Sequence, residues 1–153
     1  MLKTVTLQEA NGLLPLVREH FLRIHILLAH LHHLRSKSNP QHRAHFIFDQ
    51  NTERIQVIKK IPTNKKIRHI LKKSAEVQTL IENEINELMR LGAVIKGLFP
   101  PHIDFLSLRN NEPIFLCWHQ GESEITHWHQ LDDGSPLRQI IVRKAYFGPH
   151  VVH

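Results

Sequence analysis

The chain holds one cysteine, Cys117, in 153 residues. No internal disulfide can form, and the simplest expectation is a reducing, cytoplasmic setting. Long apolar runs are missing as well. Nothing approaches the ~18 residues of a membrane span, so no membrane partner is expected. The opening MLKTVTLQEA has neither an apolar stretch nor a small-residue cleavage pattern, and does not read as a secretion signal. A Gly-rich phosphate loop, a nucleophile elbow and a helical His-Glu-x-x-His are all absent. The usual signatures of nucleotide hydrolysis, serine hydrolysis and zinc proteolysis go with them.

Histidine and positive charge are plentiful instead. Fourteen histidines and a formal net charge of +6 favour acidic partners without specifying one. Five of the histidines fall between His20 and His33, a spacing that suits a solvated helix face. The length suits a single domain, residues 1–153, with a modest core.

Thr6-Leu7-Gln8-Glu9 fits a capping box that opens a helix over about 7–36. Leu7, Ala10, Leu14, Val17, Phe21, Ile24, Leu28 and Leu31 recur by threes and fours, as a buried seam does. Leu13, Leu16, Leu27 and Leu34 widen that apolar face, which predicts a homo-oligomer or a protein partner on the helices. Pro15 has no amide proton for Asn11, so a kink or a fresh helix start is expected near Leu14. Residues 38–62 read as an insertion with a possible β-hairpin, in which Phe46 and Phe48 alternate, then Ile55 and Val57. Thr63 or Asn64 caps a second helix over about 64–91. Gly92 is placed for its left-handed end. From 93 to 142 the period drops to two, with Asn110-Asn111 and Gln120-Gly121 as turns and a last strand at Gln139–Val142. An irregular tail follows over 143–153. The expected fold is α+β: a long antiparallel helical hairpin with a small antiparallel sheet.

Residues 59–73, KKIPTNKKIRHILKK, carry seven Lys or Arg and no acid. Lys65, Lys66, Arg68, Lys72 and Lys73 are therefore a candidate anion-binding group, with weak nucleic-acid binding as the functional reading. No aromatic side chains interleave them for base stacking.

The stretch ITHWHQLDDG, 125–134, raises a second possibility. On a strand, His127 and His129 share a face about 6.5–7 Å apart and can reach one cation. Asp133, Asp132 or Glu122 is positioned to add a third ligand, for zinc, iron or manganese. A metal-free pocket of Asp104, Arg109, Glu122, His129 and Arg138 that binds a small polar ligand is a separate reading. The same residues also make sense as a mutually satisfied polar cluster. Cys117 and His119 share a strand face, but the apolar neighbours of Cys117 suit a buried, inert thiol better than a nucleophile.

TLQEANGLLP at 6–15, the acidic-Phe-x-x-Leu-Arg of Asp104 to Arg109, LCW at 116–118, Gly121-Glu122 and Trp128-His129 together are familiar. The chain resembles the bacterial family known as domain of unknown function 2203. The resemblance covers most of the chain, leaving out 38–62 and roughly the last ten residues. It implies no activity and no cofactor. His127 stands where that family often has another aromatic residue.

Overall fold

The computed structural model describes residues 2–37, 46–49, 54–57 and 64–148. Two long helices and a five-stranded antiparallel sheet make an α+β fold. Helix α1 is Leu7–Ser36 and helix α2 is Lys65–Arg90. Strands β1 (Phe46–Asp49) and β2 (Arg54–Val57) pair with Phe46 opposite Val57, the hairpin expected in the insertion. The rest of the insertion and the tail beyond 148 lie outside the described residues. The chain divides into two compact units, residues 1–22 with 84–153 and residues 23–83, and each helix contributes to both.

In the first unit, α1 begins as its sequence dictates. The Glu9 amide donates to Thr6 Oγ1 at 3.0 Å, and the Thr6 amide donates to Glu9 Oε2 at 2.8 Å. Two amides that a helix start leaves open are thereby satisfied. Thr6→Ala is expected to cost about 1 kcal/mol in urea unfolding, the usual value of an N-cap hydroxyl. Pro15 does not restart the helix, which runs unbroken from Leu7 to Ser36. An interior proline costs ~3 kcal/mol. Each fully buried large apolar side chain returns ~1.5–3 kcal/mol, and Leu14, Val17 and Phe21 are all buried beside it. Those burials outweigh one lost hydrogen bond.

The sheet follows as β3 (Ala93–Leu98), β4 (Pro101–Arg109), β5 (Glu112–His119), β6 (His127–Gln130) and β7 (Gln139–Ile140), in that spatial order. Gly92, at φ +91°, ends α2 and turns the chain into β3. Asn110 and Asn111, at φ 51° and 65°, form the two-residue turn between β4 and β5. Strand β6 starts at His127 rather than at 124 or 125, because the Ile125 amide donates to Asn11 Oδ1 of α1 at 2.7 Å instead of joining the ladder.

The sheet has two unlike faces. On one, Ile103, Phe105, Ile114, Leu116 and Trp118 are buried. This face meets α1, where Phe21 stacks on Trp118 with ring centroids 6.4 Å apart. The N-terminal segment is tied to the sheet by Ser107 Oγ, which donates to the Val5 carbonyl at 2.5 Å. The opposite face gathers most of the sheet's polar side chains among Leu106, Leu108 and Phe115, is mostly half-buried, and carries the site described below.

In the second unit, Ile24 and Leu31 of α1 and Ile70, Val77 and Ile81 of α2 are buried. Leu28, expected in the same seam, is only half-buried. Asn64 caps α2 through Oδ1, which accepts the Lys66 amide at 2.9 Å. Among the described residues, no helix is long and apolar enough to cross a membrane.

Candidate functional site

Register decides which side chains share the polar face. The two-asparagine turn sets Asp104 opposite Cys117, and Cys117 is in turn opposite His127. Residues directly opposite in an antiparallel ladder project from the same face. His129, two residues along β6 from His127, joins them. Its imidazole reaches over β5 so that Nε2 lies 3.0 Å from Asp104 Oδ2. Asp104 and His129 are each 1% exposed and Cys117 is fully buried. Among the described residues, these three converge as potential metal ligands, their donor atoms all within 4.8 Å of one another.

The hydrogen bonding of His129 is restrictive. Nδ1 lies 2.8 Å from the Gln130 carbonyl oxygen. A carbonyl only accepts, so Nδ1 carries the proton and donates. Nε2 then faces a carboxylate oxygen, and either one more proton or one cation has to lie between two lone pairs. Among the described residues, the buried Asp104 Oδ1 has no hydrogen-bond partner. Burial, with the Asp104 carboxylate adding to it, pushes the Cys117 thiol up to about 12. At neutral pH the sulfur is therefore a protonated, unreactive thiol, as its sequence neighbours suggested.

A rim of basic groups surrounds this centre. Lys96 Nζ is 3.9 Å from Asp104 Oδ2 and 5.5 Å from the Phe115 ring centroid. His102 and His119 face each other with ring centroids 4.7 Å apart. Burial lowers the pKa of both imidazoles; the Asp104 carboxylate opposes this at His102, where Lys96 and Arg138 add to the lowering, and Arg138 adds to it at His119. Ser135 Oγ lies 2.7 Å from His119 Nε2. Glu122 Oε2 accepts the His119 amide at 2.9 Å, while Oε1 lies 2.7 Å from Arg138 Nη1.

Of the pocket residues expected from sequence, the structure pairs Asp104 with His129 and Glu122 with Arg138. Arg109 lies apart from them: it projects from the other face, its guanidinium carbon 4.5 Å from the centroid of Trp128. Of the expected metal set, only His129 enters the convergent trio. His127 Nδ1 is 2.9 Å from Thr126 Oγ1 and 4.0 Å from Glu122 Oε1. Asp133 sits in the turn after β6, its amide donating to the Gln130 carbonyl at 3.1 Å. Sequence reasoning considered Cys117 only as a nucleophile and missed it as a ligand. Lys65, Lys66, Arg68, Lys72 and Lys73 of α2 are exposed, and Lys73 pairs with Glu76 at 3.4 Å.

An α+β domain with a buried Asp-Cys-His trio on the polar face of a five-stranded sheet is thus the class of protein that this geometry defines. The chain belongs to the family described as Uncharacterized conserved protein (DUF2203), which it matches over residues 3–141. No curated protein and no solved structure matches it.

Proposed function

We propose that this protein is a metal-binding domain whose ligands are Asp104, Cys117 and His129, and that its ion is zinc. The observation that carries this reading is the convergence of one carboxylate, one sulfur and one imidazole nitrogen within 4.8 Å, in the buried part of the polar face. The His129 Nδ1 bond to a backbone carbonyl is the support that metal-bound histidines use to aim the other nitrogen. Charge supports it too. A thiolate and a carboxylate together neutralise a divalent ion, so the loaded site buries no net charge.

Size separates this reading from the polar-ligand pocket. Asp104 and His129 are 1% exposed, so a substrate-sized molecule cannot touch them unless their cover moves, whereas a bare cation can. The separation of the imidazole nitrogen and the carboxylate oxygen supports it as well. Ligands at ~2.0–2.2 Å from zinc stand ~3.3 Å apart at a tetrahedral angle. The observed 3.0 Å between Nε2 and Oδ2 requires only a small opening. Sulfur in the set favours zinc over manganese. Three protein ligands leave a fourth position open, as in sites that exchange or use their ion.

Protein purified without a tag or chelator is expected to contain about one zinc per chain by elemental analysis. Cobalt loading should give a thiolate-to-cobalt charge-transfer band that Cys117→Ser removes. His127→Ala should keep the metal, and His129→Gln should lose it. Absence of stoichiometric metal, with no thermal shift from zinc, iron or manganese, would overturn the proposal.

A further inference from the structure

The formal charge of the chain is not spread evenly. Residues 23–83 hold twelve Lys or Arg against four Asp or Glu, a formal +8. The other unit holds eight against ten, a formal −2, so the whole excess lies in the helical unit. Within it, α2 opens on Lys65, Lys66, Arg68, Lys72 and Lys73, with no acid in its first turn. A helix start favours acids, because its exposed amides carry partial positive charge. This helix places cations there, in opposition to its own dipole.

The arrangement on the helix is regular. At 100° per residue, Lys65, Arg68 and Lys72 fall on the side opposite the buried Ile70, Ser74 and Val77, and Lys66 and Lys73 lie together on one side of that row, about 80–100° round from Lys65. Lys65, Lys66, Arg68 and Lys72 are exposed, with no ion partner among the described residues. At 1.5 Å per residue the row is ~12 Å long, matching about three to four phosphates along one strand of a duplex. No Phe, Tyr or Trp lies between 64 and 76 to stack on a base.

We infer that the first two turns of α2 are a docking surface for the phosphate backbone of nucleic acid, bound without regard to sequence. Repelling cations at a helix start are costly for the free protein. A row of phosphates supplies the negative charge that the first two turns withhold, and the nearest acid along the helix, Glu76, is already paired with Lys73. This interaction is independent of the metal centre, which lies in the other unit.

The test is fluorescence anisotropy of the full chain with a 20-base-pair DNA duplex of arbitrary sequence, in 50 to 200 mM salt. Four contacts are expected to give a slope of log K against log salt of about −3.6. The variant Lys65→Gln/Lys66→Gln/Arg68→Gln/Lys72→Gln should flatten that slope to near zero and weaken binding at least tenfold at 50 mM salt. The same variant should unfold at a higher temperature than the parent, since repulsion at the helix start is relieved. Lys144→Gln, in the other unit, should change neither reading. An unchanged slope in the quadruple variant would overturn the inference. So would failure of the parent to bind at 50 mM salt, or equally tight binding of polyglutamate, which would assign the surface to acidic proteins.

Discussion

Asp104→Ala is expected to lower the unfolding free energy by about 3–5 kcal/mol, measured by urea denaturation in the presence of chelator. Removing one member of a buried polar pair costs this much, because the group left behind stays desolvated and loses its partner. Asp104 and His129 are 1% exposed and 3.0 Å apart, so neither has water to fall back on. The melting temperature should drop by roughly 6–20 °C, at ~2–4 °C for each kcal/mol in a chain of this size. Asp104→Asn separates structure from metal binding. Its amide N–H can donate to Nε2 while Nδ1 keeps the Gln130 carbonyl, so stability should fall by only about 1 kcal/mol. Zinc should nonetheless be lost, since a neutral amide is a poor ligand and leaves the loaded site charged. A stability loss in Asp104→Asn as large as in Asp104→Ala would contradict this account of the pair.

How much of this was legible depends on what each element uses to define itself. The helix seam, the capping box, the turn at Asn110-Asn111 and the change of period near 93 are local signals, and the structure keeps all of them. Pro15 does not start a fresh helix, because burial along α1 outweighs a missing hydrogen bond. Site membership is harder, because it depends on register, and a slip of one residue exchanges the two faces of a strand. Two parts of it were nonetheless present. A two-residue turn at 110 and 111 fixes Arg109 opposite Glu112, and counting back from there places Asp104 opposite Cys117. Counting along β4 likewise puts Arg109 five residues from Asp104, hence on the other face. The third part was hidden. The connection between β5 and β6 is too long to set a register, so nothing local says that His129 turns toward Asp104 while His127 turns toward Thr126.

The Asp104-Cys117-His129 trio rests on a support from the opposite face of the sheet, and Trp118 is its keystone. Its ring is 2% exposed and stacks on Phe21 of α1. Its Nε1–H donates to the Glu122 carbonyl at 2.9 Å. That backbone position carries the Glu122 side chain, which holds the His119 amide and faces Arg138 at the rim. Trp118→Ala is expected to cost about 3–5 kcal/mol in urea unfolding, through lost contacts and the cavity left behind. Trp118→Phe keeps most of the volume and removes the donor. Arg18 Nη2 also donates to the Glu122 carbonyl, at 3.2 Å, and to the Ser123 carbonyl, at 2.9 Å. With that second donor in place, Trp118→Phe should cost only about 1–2 kcal/mol. Arg18→Ala should cost more in the Trp118→Phe background than in the parent, by about 1 kcal/mol, because the carbonyl then loses both donors. Strict additivity of the two substitutions would mean that α1 and the indole do not act together on this loop.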